Sequence, residues 1–165
     1  MLPAHKRFLL LEEGVGSIVV NLLINGVIAF FMFRGAAAVP LWGQQSIAGD
    51  TIGTALLLPL FTCLIVTPLA RRQVRAGAVP PLAALPAAMR WLPRGTFRRG
   101  LLLGALTVAS VAPATIAALT AGGVTQQSFW GFVAFKAIFA AALGAVVTPL
   151  IALYAIAGEA ALPAD

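Results

Sequence analysis

Apolar residues run through this chain in four long blocks separated by short polar or proline-rich breaks. The blocks cover about 15–33, 51–70, 101–120 and 132–156. None shows the strict alternation of a half-buried strand. Each reaches the roughly 20 apolar residues that a helix needs to cross the hydrocarbon layer. The pattern predicts an all-α integral membrane protein with four transmembrane helices, as two helical hairpins in a single domain over 1–165.

The breaks differ in kind. Residues 71–100 hold Pro80, Pro81, Pro86 and Pro93, which rule out one continuous helix. Leu82, Leu85, Met89 and Leu92 sit there among arginines. This is expected to be an interfacial segment in the headgroup layer. Arg71, Arg72, Arg75, Arg90, Arg94, Arg98 and Arg99 would contact lipid or a partner, and Trp91 would anchor the interface. The first residues form a second interfacial turn in this reading, with Leu9, Leu10 and Leu11 touching lipid. Glu12 and Glu13 interrupt the apolar run after His5, Lys6 and Arg7, which favours an uncleaved first helix over a signal peptide.

Composition strengthens the membrane reading. Hydrophobic residues make up 61% of the chain and charged ones 10%, against about 25% charged in soluble domains. Mean hydropathy is +0.99. The net charge of +6 does not point to nucleic acid, because the basic residues flank apolar blocks. With four crossings, Lys6, Arg7 and the seven arginines of 71–100 share one side, and Arg34 and Lys136 lie toward the other. The positive-inside rule places both termini and the long loop in the cytoplasm. Arginine dominates lysine, and alanine and leucine are abundant, as in GC-rich bacterial genomes. The expected location is therefore a bacterial inner membrane.

Two short motifs recur in the same order. Gln44-Gln45-Ser46-Ile47-Ala48-Gly49 precedes the second block, and Gln126-Gln127-Ser128-Phe129-Trp130-Gly131 precedes the fourth. Val66-Thr67-Pro68-Leu69 and Val147-Thr148-Pro149-Leu150 follow, with offsets that differ by one residue. This predicts a tandem duplication of a hairpin, the copies related by an axis along the membrane normal.

Polar residues inside the blocks are few, and none is acidic. Asn21 and Asn25 share a helical face. Depth counting sets them level with Thr62, Thr67, Thr107, Ser110 and Thr148, which predicts one polar layer joining four helices. Such a layer is interhelical glue or a solute path. Lys136 either snorkels to the interface or pairs with Asp50 on the outer side. Pro59, Pro68, Pro113 and Pro149 are expected to bend their helices, with Thr67 and Thr148 bonding back to the preceding turn. Gly49/Gly53 and Gly100/Gly104 have GxxxG spacing, as have Ala140 and Gly144. Phe30, Phe31, Phe33, Phe132, Phe135 and Phe139 face lipid by default, with a partner helix or a bound pigment as the alternatives.

Chemistry has little to draw on. Cys63 and His5 are the only residues of their kinds. No nucleophile–base set, metal motif or phosphate loop is present, so no enzyme activity, cofactor or metal is expected. The expected role is an accessory or structural subunit that packs against other membrane helices. The alternative is a homo-oligomeric small-solute or ion transporter or channel using the Asn/Thr layer. The partners are membrane lipids, anionic on the cytoplasmic side, with other membrane subunits or further copies of the chain. The topology is tested by fusion reporters. An alkaline phosphatase fused after Gln45 should be active and one fused within 71–100 inactive.

Overall fold

The computed structural model describes His5 and residues 7–159. Four helices are long and apolar enough to cross a membrane. They are α1 (Gly16–Phe33), α2 (Ile47–Arg75), α3 (Thr96–Ala121) and α4 (Phe129–Glu159). A π-helical segment, Phe8–Val15, leads into α1. Two three-residue strands, β1 (Ala38–Pro40) and β2 (Gln126–Ser128), pair antiparallel and tie the loop before α2 to the loop before α4.

The helices are longer than the apolar blocks. α2 carries Arg71, Arg72 and Arg75 in its last turns, and α3 begins at Thr96, so Arg98 and Arg99 are helical too. The connecting loop is therefore 76–95 rather than 71–100, with one 3₁₀ turn at Ala87–Met89. The reason is chemical. A helix can leave the hydrocarbon without ending, and arginine is a good helix former. What stops α2 is Gly77, at φ +73, with its amide and that of Ala78 bonded back to Val74 and Gln73 carbonyls. Gly123 ends α3 in the same way, at φ +72. The helices run on through Pro59, Pro68, Pro113 and Pro149.

The order across the bundle is α3, α2, α4, α1. α4 is the spine. Its most apolar stretch is 56% buried, against 6% for that of α1. It contributes to three core clusters stacked along the bundle. At the basic end, Phe8 and Leu9 pack with Ala70, Val79, Ala152, Ala155 and Ile156. Leu9 is thus inside the protein, not on lipid. Leu10 and Leu11 lie outside the residues whose side chains are described. In the middle, Leu58 and Cys63 meet Ala140, Leu143, Val147 and Ile151. At the far end, Ala29, Phe33, Val39, Leu41 and Ile47 surround Phe132. The Phe33 and Phe132 rings meet at a tilt of 57° with centres 4.5 Å apart, so these two phenylalanines seal the α1–α4 crossing instead of facing lipid.

Small residues set the helix spacing. A Cβ on Gly104 would lie 2.5 Å from the Leu56 carbonyl oxygen, and one on Gly100 would lie 3.0 Å from the Leu60 Cα. The Gly100/Gly104 pair thus works within the chain, letting α3 sit against the α2 backbone. Thr107, the next small side chain on that face, bonds the Ala55 carbonyl across the seam. Gly104→Leu should open this seam and destabilise the protein by about 1–3 kcal/mol. The check is a lowered thermal midpoint in detergent, with Gly53→Leu, where a side chain meets open space, unchanged.

Candidate functional site

Because α4 lies between α1 and α2, these sequence neighbours are held apart. A groove of about 840 Å³ runs between them. One wall is the α1 face bearing Ser17, Asn21, Asn25, Ile28 and Met32, residues spaced at helical intervals. The other is the α2 face bearing Gly49, Asp50, Gly53, Thr54 and Thr62. α4 supplies Lys136 and Thr148. The groove extends from Glu13 and Gly16 at the basic end to Gln44–Ser46 at the other. Eighteen residues of α1 rise about 27 Å, so the groove is close to hydrocarbon thickness.

The predicted polar layer is divided. Asn21, Asn25, Thr62 and Thr148 line the groove. Thr107 is spent on the α2–α3 seam. Ser110 is exposed on α3 and bonds the Leu106 carbonyl of its own helix at 2.6 Å. Thr67 faces the basic end. The layer does not join four helices, because Thr107 is turned to α2 and Ser110 is exposed, while α3 meets α4 elsewhere, through Arg99 and Tyr154. Asn21 Nδ2 donates to the Ser17 carbonyl at 2.9 Å, and Asn25 Nδ2 to the Asn21 carbonyl at 3.1 Å. Gly144 makes room for Asn21, since a Cβ there would collide with the amide.

Neither threonine of the Thr-Pro pairs makes the expected bond to its preceding turn. The Thr67 hydroxyl accepts from Arg99. The Thr148 hydroxyl is buried in the groove wall and has no partner among the described residues. An unmet hydroxyl in a low-dielectric site is unfavourable by about 1–3 kcal/mol.

At the far end of the groove, Lys136 forms an ion pair with Asp50, both side chains under a tenth exposed. Lys136 therefore pairs rather than snorkels. Asp50 lies in the first turn of α2, where the helix dipole favours a negative charge. Ser46 caps that turn, its Oγ accepting from the Gly49 amide at 3.2 Å. Ser128 Oγ accepts from the Gly131 amide at the same distance. The QQSxxG motif is thus a helix-entry device used twice.

The basic end departs most from expectation. Arg72, Arg75, Arg90, Arg94 and Arg98 are exposed, as is Trp91, whose indole donates to the Ala88 carbonyl at 2.7 Å. Arg71 is half-buried. Arg99 is completely buried, not a lipid contact. Its guanidinium lies 4.2 Å from the Tyr154 ring centre and donates to Thr67 at 2.9 Å. Longer contacts reach the Pro93 and Arg94 carbonyls. Sequence reasoning missed Tyr154. Its signal was present for Arg99, which falls on one i, i+4, i+8 row with Leu103 and Thr107, beside Gly100 and Gly104.

Among the described residues, no three His, Cys, Asp or Glu side chains come together. Two carboxylates among these residues line the groove: Glu13 at the basic end, and Asp50 at the far end, which is held by Lys136. The arrangement can bind and orient an occupant. No protein-family profile, curated protein or solved structure matches this chain.

Removing one partner of the buried pair leaves an uncompensated charge. Lys136→Met should destabilise the protein by about 3–5 kcal/mol. Adding Asp50→Asn should recover most of that loss. A double-mutant cycle in thermal or denaturant unfolding measures it.

Proposed function

We propose that this chain is a non-catalytic accessory or structural membrane subunit, and that its α1–α2 groove holds a transmembrane helix of another protein. The observation that carries this reading is the pair Gly49/Gly53. It faces the groove, and a Cβ on Gly53 would meet nothing within 4 Å. Gly100/Gly104 has the same spacing and is filled by α2. A GxxxG face left open along a groove of membrane length fits an incoming helix. Asn21 and Asn25 opposite it, and the unpartnered Thr148 hydroxyl, favour an occupant with a hydroxyl or carboxamide at that depth.

The proposed setting is the inner membrane of a bacterium, with both termini and the 76–95 loop cytoplasmic. The charge distribution supports it. We also take the fold as two copies of one helical hairpin. The matching Ser46 and Ser128 caps support the duplication. So does the helix order α3, α2, α4, α1, which is unchanged when the copies are exchanged and the order is read backwards. In such a duplication the first helix of each copy packs on the second helix of the other.

A second reading is a homo-oligomeric solute or ion transporter or channel. It is favoured by the gathering of Asn21, Asn25, Thr62 and Thr148 with the Asp50–Lys136 pair along one groove.

A photo-crosslinker at Ile24, on the groove wall, separates the two. Under the first reading it attaches to a transmembrane helix of an unrelated protein that co-purifies in mild detergent. Gly53→Leu should then reduce co-purification about tenfold without lowering the thermal midpoint, about 1.4 kcal/mol of lost contact. Crosslinks only between copies of this chain would overturn that reading. If Asn25→Leu then abolished a solute-induced shift in melting temperature, the transporter reading would stand in its place.

A further inference from the structure

A second concavity lies away from the groove, at the basic end of the α2–α3 seam. It has a volume of about 400 Å³. Arg71, Arg72 and Arg75 converge on it from the last turns of α2, with Thr67 one turn deeper and Thr96 across the seam. Leu64 and Pro68 form its apolar side. We propose that this cleft binds a phosphate group, that of an anionic phospholipid whose acyl chain lies along Leu64.

The lining argues for an anion. Among the described residues it includes three arginines, two threonines and no carboxylate. Guanidinium forks and hydroxyl donors are the groups that hold phosphate oxygens. Thr96 is the first residue of α3, and no side chain caps that helix. The positive end of the helix dipole thus lies on the side of α3 at which Thr96 meets the cleft. A fourth cation backs the wall. Arg99, fully buried, donates to the hydroxyl of Thr67, a residue of the cleft's lining, and its Nε has no partner among the described residues. A buried positive charge without a carboxylate in contact raises the potential felt by an anion nearby.

The shape argues for a lipid as the carrier. Leu64, Pro68, Arg71/Arg72 and Arg75 form one stripe along α2, apolar toward the membrane interior and cationic toward the surface. Leu64 is 40% exposed on that stripe. A headgroup phosphate at the arginines therefore leaves its chain beside an open apolar face. This differs from general attraction of anionic lipid to a basic surface. Arg90, Arg94 and Arg98 carry the same charge and do not line the cleft.

The test uses purified full-length protein in a neutral detergent. Its thermal midpoint is followed while phosphatidylglycerol, phosphatidylcholine or inorganic phosphate is titrated in. Arg72→Gln/Thr96→Val alters the cleft, and Arg90→Gln removes the same charge elsewhere. Phosphatidylglycerol should give a saturable stabilisation that phosphatidylcholine does not. The cleft variant should weaken its apparent affinity roughly tenfold, and Arg90→Gln should leave it unchanged. Native mass spectrometry should show the same loss of bound lipid, which covers a variant whose midpoint has itself moved. Saturable stabilisation by inorganic phosphate alone, lost in the cleft variant, would keep the phosphate site and overturn the lipid as its source. Equal responses of both variants would overturn the site in favour of diffuse surface attraction, as would no response of the parent protein to either phosphate compound.

Discussion

Lipid offers apolar helix faces no reward for leaving it, because the tails are as apolar as leucine. Helices in a bilayer are held together by close contact and by polar groups that have nowhere else to bond. This protein meets that constraint at a few positions. Gly100 and Gly104 bring α3 onto the α2 backbone, and Gly144 lets α4 accept the Asn21 amide. Thr107 bonds across one seam, and Asp50 with Lys136 bonds across another. Between those points the apolar clusters along α4 fill space.

The same constraint explains the groove. α4 takes contacts on two sides, from α1 and from α2, and its alanine- and glycine-rich face allows both. α1 is then committed to one neighbour. Its remaining surface is apolar enough for lipid except for the row Ser17, Asn21 and Asn25, which looks into the groove. Each asparagine bonds a carbonyl one turn back. That use of the amide makes the row tolerable in hydrocarbon while keeping further donor and acceptor capacity for an occupant.

Much of the helix content was legible as runs of apolar residues, because a span needs length and hydropathy and little else. Boundaries were less so. Arg71, Arg72 and Arg75 read as loop, since charge ends an apolar run but does not end a helix; Gly77 does. Pairing was legible only where chemistry forces it. Asp50 and Lys136 were legible as a candidate pair, with snorkelling of Lys136 the competing reading, whereas Thr107 and Thr148 look alike in sequence and meet opposite environments. The order of helices was not legible at all. It depends on which faces carry glycine toward which neighbour, and alanine-rich helices advertise several. Arg99 was misread for a related reason. Its position among six other arginines of the same segment hid the one that Tyr154 and Thr67 draw inside.

The separation of α1 from α2 sets an order on assembly. A ribosome delivers these helices in sequence, yet α1 has no large contact to make with the next one to appear. Its own neighbour begins at Phe129, after α2 and α3 have been made. Asp50 faces a similar wait for Lys136 and must be kept near the membrane surface until that charge arrives. For most of its synthesis the chain is therefore a paired α2–α3 unit with a solitary first helix beside it. The groove comes into being last, when α4 slides between them and fixes their distance.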